Sequence, residues 1–241
     1  RAEERSSVRG GRPIAPLGLT YAGLKRVWDA HGMLIQRLRL GPSGGALPVE
    51  VAGFTSEEWD HDASGRLVEH RYESARGSQV PGPRGWALQT RRYEAVDGGE
   101  LVVIRTFDGS GKPTRRVVDG VARVDERRDA LGRVTTRAVF DANESPTVEG
   151  EARAHRVEHT YDEAGRQLST AWFGVGDRPC THPVFGVHRR ERTYDDAGHE
   201  TALAYRDGLG ALRAGSEGWA RRVKRYNASG QVEVIAFEGP D

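Results

Sequence analysis

The sequence predicts an all-β fold of tandem antiparallel β-hairpin repeats forming a coiled or curled sheet. Three observations carry that reading. A unit of about 33 residues recurs along the 241-residue chain, a D-x-x-G turn punctuates nearly every copy, and no stretch shows convincing helical periodicity.

An aromatic, an acid or its amide, and a following glycine recur as Trp28-Asp29…Gly32, Trp59-Asp60…Gly65, Tyr161-Asp162…Gly165, Tyr194-Asp195…Gly198 and Tyr226-Asn227…Gly230. Weaker copies are Tyr93 with Gly98, and Arg128-Asp129…Gly132, where arginine takes the aromatic's place. The units therefore start near 28, 59, 93, 128, 161, 194 and 226, with steps of 31, 34, 35, 33, 33 and 32. A second landmark falls mid-unit, where Leu40, Tyr72, Phe107, Phe140, Phe173, Tyr205 and Phe237 lead Gly/Asp-rich turns. Pro113, Pro146 and Pro179 each stand 15 residues before the next unit, and Pro13 stands 15 before Trp28. Residues 1–241 thus read as a single repeat array, cut within a repeat at both ends and belonging to a longer protein.

Each unit supplies two strands. The first, "GLKRVWDAHGMLIQRL", would be the one tempting helix, but its D-x-x-G turn splits it into a hairpin. The pattern continues with "RLVEHRY" after the second turn, "WALQTRR" before the third, "RVTTRAVF" after the fourth, "AHRVEHT" and "RQLSTAWF" around the fifth, and "WARRVKR" and "QVEVIAF" around the last. Aspartate bonds the backbone that follows it and glycine tolerates positive φ, so each D-x-x-G reverses the chain. Seven turns give fourteen strands. An open sheet of more than about ten strands usually curls, splits or packs on something, which favours coiling.

Side chains alternate between faces along a strand. Before each turn, Ala122, Val124, Val157 and Ala220 share a face with the turn aromatics, and this face is expected to be buried. The recurrent aromatics are then expected to form a repeating core. The opposite face carries Arg123, Arg156, Arg189 and Arg221, five residues before the turn position, with Asp125, Glu158 and Glu191 two residues beyond the first three. This column reads either as a ligand-binding stripe or as a self-neutralised solvated ladder. Trp86 and Trp219, placed on the other face, join the four arginines as the candidate interaction surface.

Composition narrows the function classes. Formal net charge is +1, apolar residues make up 37%, and the basic residues are 33 Arg against 3 Lys. Such a balance argues against a dedicated nucleic-acid binder, which needs clustered, uncompensated positive charge. The single cysteine, Cys180, excludes an internal disulfide. No apolar run approaches the roughly 18 residues of a membrane span. His155 and His159 in "HRVEH" would lie about 13 Å apart along a strand and make a poor metal pair. Cys180 and His182 in "PCTHP" fall in a repeat turn and make a poor nucleophile and base.

"YDEAGR", "WDHDASGRL" and "YDDAGH" resemble the Y-D-x-x-G-R core of the YD-repeat (Rhs-like) family, here in a longer variant of about 33 residues per repeat. The resemblance runs from Trp28 to the end of the chain. It implies a β-sheet that spirals into a shell, within a large bacterial protein. The resulting expectation is a non-enzymatic scaffold without cofactor or metal, whose partner is another protein or another domain of the same polypeptide. A shell segment of a secreted toxin or adhesin, and a carbohydrate-binding repeat, are the alternatives. Localisation is left open, with secretion or the cell surface slightly favoured.

Overall fold

The computed structural model describes residues 2–5, 8–9, 12–13, 21–47 and 53–240. Regular structure there is entirely β. The strands are Ala2–Arg5 (β1), Val8–Arg9 (β2), Arg12–Pro13 (β3), Gly23–Trp28 (β4), Leu34–Leu40 (β5), Ser56–His61 (β6), Leu67–Glu73 (β7), Leu88–Val96 (β8), Gly99–Phe107 (β9), Arg123–Asp129 (β10), Val134–Phe140 (β11), Arg156–Tyr161 (β12), Gln167–Phe173 (β13), Arg189–Tyr194 (β14), Glu200–Arg206 (β15), Arg221–Tyr226 (β16) and Val232–Glu238 (β17). Strands β4 to β17 form seven antiparallel hairpins, the fourteen strands expected from seven turns. Residues 14–20, which fall between Pro13 and Trp28, lie outside the described residues, as do both terminal residues.

The chain divides into two compact units. One holds the chain up to Tyr93 together with Val103–Arg123, and the other holds Glu94–Val102 together with the chain from Val124 onward. In the first unit each strand from β4 to β8 pairs antiparallel with the next, β1 adds to β4, and β2 pairs with β3. In the second, β10 to β17 follow one another in the same way.

The hairpin tips follow from local chemistry. At Asp162 the backbone amide donates to the Arg166 carbonyl at 3.0 Å, and the Gly165 amide donates back to the Asp162 carbonyl at 3.0 Å. Gly165 sits at φ 84°, where any side chain would be strained. The aspartate Oδ1 accepts the Arg166 amide at 2.8 Å, an Asx turn that also forms at Asp29, Asp62, Asp129, Asp195 and Asn227. A bulge falls just before the aromatic in most tips and re-aims it. In the second tip the residue at that position is His61, two residues beyond Trp59. Trp59 instead lies within β6, opposite His70.

The cores sit at the strand ends remote from these tips. In the first unit Phe54, Tyr72 and Trp86 are buried together with Val80 against them. In the second, Trp172, Val187, Leu203, Tyr205 and Trp219 close around Ala154. The expected buried face is found at its strand-start positions, where Ala122, Val124 and Ala220 are buried and Val157 is half-buried. The turn aromatics are not core, which corrects the sequence expectation. Trp28 is 44% exposed, and Tyr93, Tyr161, Tyr194 and Tyr226 are half-buried. The reason is their place at the hairpin tips, where only one neighbouring tip can cover each ring. The mid-unit aromatics also split by face. Tyr72, Trp172 and Tyr205 point into the cores, whereas Phe107, Phe140 and Phe173, one strand position further on, point away and are half-buried.

Candidate functional site

The tips answer what the Y-D-x-x-G-R pattern is for. Arg133 Nε contacts Asp129 Oδ2 at 2.6 Å, and Arg133 Nη1 donates to the carbonyl of Asp162, in the next tip, at 3.0 Å. Its guanidinium lies 5.0 Å from the centroid of the Tyr161 ring, while the Tyr161 hydroxyl donates back to the Val134 carbonyl at 2.9 Å. Arg166 repeats this on Asp162, the Asp195 carbonyl and Tyr194. Arg66 bridges Asp62 and Tyr93 likewise, and His199 takes the arginine's role between Asp195 and Tyr226. Each arginine latch combines a charge-assisted hydrogen bond with a cation–π contact, the latter worth about 0.5–1 kcal/mol at exposed sites, whereas His199 stacks on the Tyr226 ring at 4.6 Å. Arg128, at the aromatic position of its tip, is half-buried and bonds Glu126 at 2.7 Å.

The candidate interaction residues fall into two groups. Trp86 is 2% exposed and Trp219 9%, so the reading of both rings as contact surface is corrected. A G-x-x-G turn precedes each one, with the Gly82 amide donating to the Trp86 carbonyl at 2.8 Å and the Gly215 amide to the Trp219 carbonyl at 2.9 Å. This turn folds the indoles under Tyr72 and Tyr205, at centroid distances of 4.9 and 4.5 Å. The paired G-x-x-G-W-A stretches at 82–87 and 215–220 were the sequence signal for it. With both rings enclosed, the carbohydrate-stacking surface loses its two tryptophans.

Arg156, Arg189 and Arg221 of the arginine column are charge-compensated. Arg156 bonds Asp177 at 2.8 Å and pairs with Glu158, Arg189 lies 3.6 Å from Glu191, and Arg221 bonds Glu238 at 3.1 Å. Arg123 is half-buried and also partnered. Three of the four arginines thus have acidic partners, with each exposed pair contributing on the order of 0.2–1 kcal/mol.

A polar constellation that the sequence reading missed lies in the first unit. Glu57 is 5% exposed, and its carboxylate accepts hydrogen bonds from His70 Nε2 at 2.8 Å and from Arg37. Trp59, Tyr72 and Trp86 surround the His70 ring at 5.2, 5.1 and 4.9 Å. Burial alone would raise the Glu57 carboxyl, but the bonds from His70 and Arg37 outweigh it and hold the group below its ordinary 4.5. Burial and the Glu57 charge push the Tyr72 phenol up to about 12. A carboxyl lowered in the folded state contributes stability above its unfolded pKa and loses it as pH falls through the folded value. Acid should therefore destabilise the protein progressively below about pH 4.5. Glu57→Gln is expected to lower the melting temperature at neutral pH and to flatten its fall between about pH 5 and pH 3. Melting curves across that range check this, and an unchanged slope would remove Glu57 from the titrating set.

The histidine and cysteine motifs make packing and hydrogen-bond contacts. His155 Nδ1 bonds the Val139 carbonyl at 2.8 Å, whereas His159 packs among Thr170 and Gln167 on β12's neighbour. His182 stacks on Phe185 at 4.5 Å and packs at a tilt against Trp172 at 4.6 Å. Burial raises the Cys180 thiol, the opposite of what a nucleophile needs.

No protein-family model matches the chain, and no curated protein matches it. Among solved structures, it is similar to a chain of a mutant Photorhabdus luminescens Tc holotoxin pore, at 14% identity and TM-score 0.32, covering 91% of this chain and 12% of that one. It is also similar to a chain of TcdB2–TccC3, at 10% identity and TM-score 0.25, over 92% of this chain and 15% of that one.

Proposed function

We propose that the chain is a non-enzymatic β-repeat scaffold within a larger bacterial protein, binding another protein or another domain of the same polypeptide. The observation that carries this is the run of latched tips, in which Arg133 and Arg166 each tie their own hairpin to the next. The latched tips support the scaffold role, because they hold neighbouring hairpins in one register. Shell-forming repeats of a secreted toxin or adhesin are the second reading, favoured by the same latched Y-D-x-x-G-R tips.

Hydrogen exchange tests the proposal. The amides of hairpins β12–β13 and β14–β15 should be protected to a similar degree, because Arg166 ties their tips, and Arg166→Ala should speed exchange in both. Unchanged exchange in that variant would sink the reading.

A further inference from the structure

The first tip lacks its latch. At the position of Arg66, Arg133 and Arg166 stands Met33, the chain's single methionine, and where those arginines would reach there is a cavity of about 670 Å³. Its walls include Asp29, Met33, Trp59, His61 and Asp62, all within the first unit, and no arginine or lysine is among its described lining residues. Its rim residues His31, Ala63, Ser64 and Gly65 are exposed, so the cavity is reached from solvent.

The other tips define what this space fits. A Cβ built on Gly165 would lie 3.7 Å from Arg133 Nη1, one on Gly198 3.6 Å from Arg166 Nη1, and one on Gly230 3.1 Å from His199 Nε2. The same atom on Gly65 meets nothing within 4 Å. Asp129, Asp162 and Asp62 each give Oδ2 to the latch arginine of their own tip, at 2.6, 2.6 and 2.7 Å. Asp29 uses Oδ1 for the His31 and Met33 amides, and no side chain among the described residues donates to it. The His61 ring occupies the position where Tyr161 and Tyr194 receive a guanidinium, and its Nδ1 is buried without a hydrogen-bond partner.

We propose that this cavity binds a guanidinium group supplied from outside the chain, held by the Asp29 carboxylate and the Asp62 carbonyl against the His61 and Trp59 rings. The site reproduces with an external cation the contacts that the chain makes internally in its other tips. The cavity volume falls in the range of small-molecule sites and accommodates an arginine-like aliphatic stem as well as its head. Two sources share this chemistry, a free guanidinium compound and an arginine side chain of a peptide.

The single Met33 makes the test direct. With methyl-labelled methionine, the Met33 resonance is followed during titration with agmatine, with N-acetyl-arginine methylamide, and with the neutral isostere N-acetyl-citrulline methylamide. A saturable shift with either or both guanidinium probes, and none with the citrulline probe, is expected. The probe that saturates at lower concentration identifies the source. Asp29→Asn should weaken binding by at least about tenfold while the tip stays folded, because Asn227 caps the last tip in the same way. Met33→Arg, followed by calorimetry, should abolish binding by supplying the guanidinium internally. Equal shifts with the citrulline probe, unaltered affinity in Asp29→Asn, or retained binding in Met33→Arg would each overturn the assignment.

Discussion

Replacing Trp172 with alanine is expected to destabilise the protein by about 3–5 kcal/mol, the range for buried aromatic truncations. The indole is 5% exposed and packs against His182 and Phe185 at 4.6 and 5.8 Å. It also faces Val157 across β12 and β13 and belongs to the cluster that includes Leu203, Tyr205 and Trp219. The cluster draws residues from three successive hairpins, so the backbone around the ring is held on several sides and is slow to close on the space it leaves. Denaturant unfolding monitored by circular dichroism gives the value, and a loss below about 1 kcal/mol would mean that the cluster collapses around the cavity. By contrast, truncation of Tyr194 removes a half-buried ring with one latch and should cost less than Trp172, which reverses the ranking expected from the repeat pattern alone.

The second large effect is expected at Gly99. A Cβ there would stand 1.9 Å from the carbonyl oxygen of Arg128 and 2.8 Å from the carbonyl carbon of Asp129. Both obstacles are backbone, so no rotamer change relieves the clash and the two strands must separate. Gly99→Ala should therefore reach or exceed the upper end of the roughly 1–3 kcal/mol that overpacking costs. Gly98→Ala beside it is the control. Its Cβ meets nothing within 4 Å, and only the positive φ of 75° opposes it. Similar losses for the two variants would show that backbone conformation, rather than the approach of β10, sets the need for glycine.

Much of the fold was legible because its turns are written in local chemistry. Asp162, Gly165 and their counterparts act through bonds within five residues, so seven hairpins and their strands could be read from spacing. The second tip was misplaced for the same reason. "WDHDASG" offers two aspartates, and Asp62 rather than Asp60 closes the turn. What depends on cross-strand register was harder to see. Glu57 stands opposite Tyr72 and diagonal to His70, a pairing that the separate segments do not announce. Trp86 and Trp219 were assigned to a surface because each lies just before its strand, where the alternation of faces no longer applies. The cavity beside Met33 was invisible until the latch geometry showed what an arginine does at that position.

The latches also have a direction. Arg133 reaches forward 29 residues to Asp162, and Arg166 forward 29 to Asp195, while the hydroxyls of Tyr161 and Tyr194 reach back 27 residues each. Each of these tips is thus completed by groups that leave the ribosome before it does. A newly made hairpin finds its docking partner already folded upstream, and the short separation keeps the entropy of closing each contact low. Such a chain can be built in the order of its synthesis, one hairpin at a time, and exposes a single growing edge rather than several unpaired strands while it is being translated.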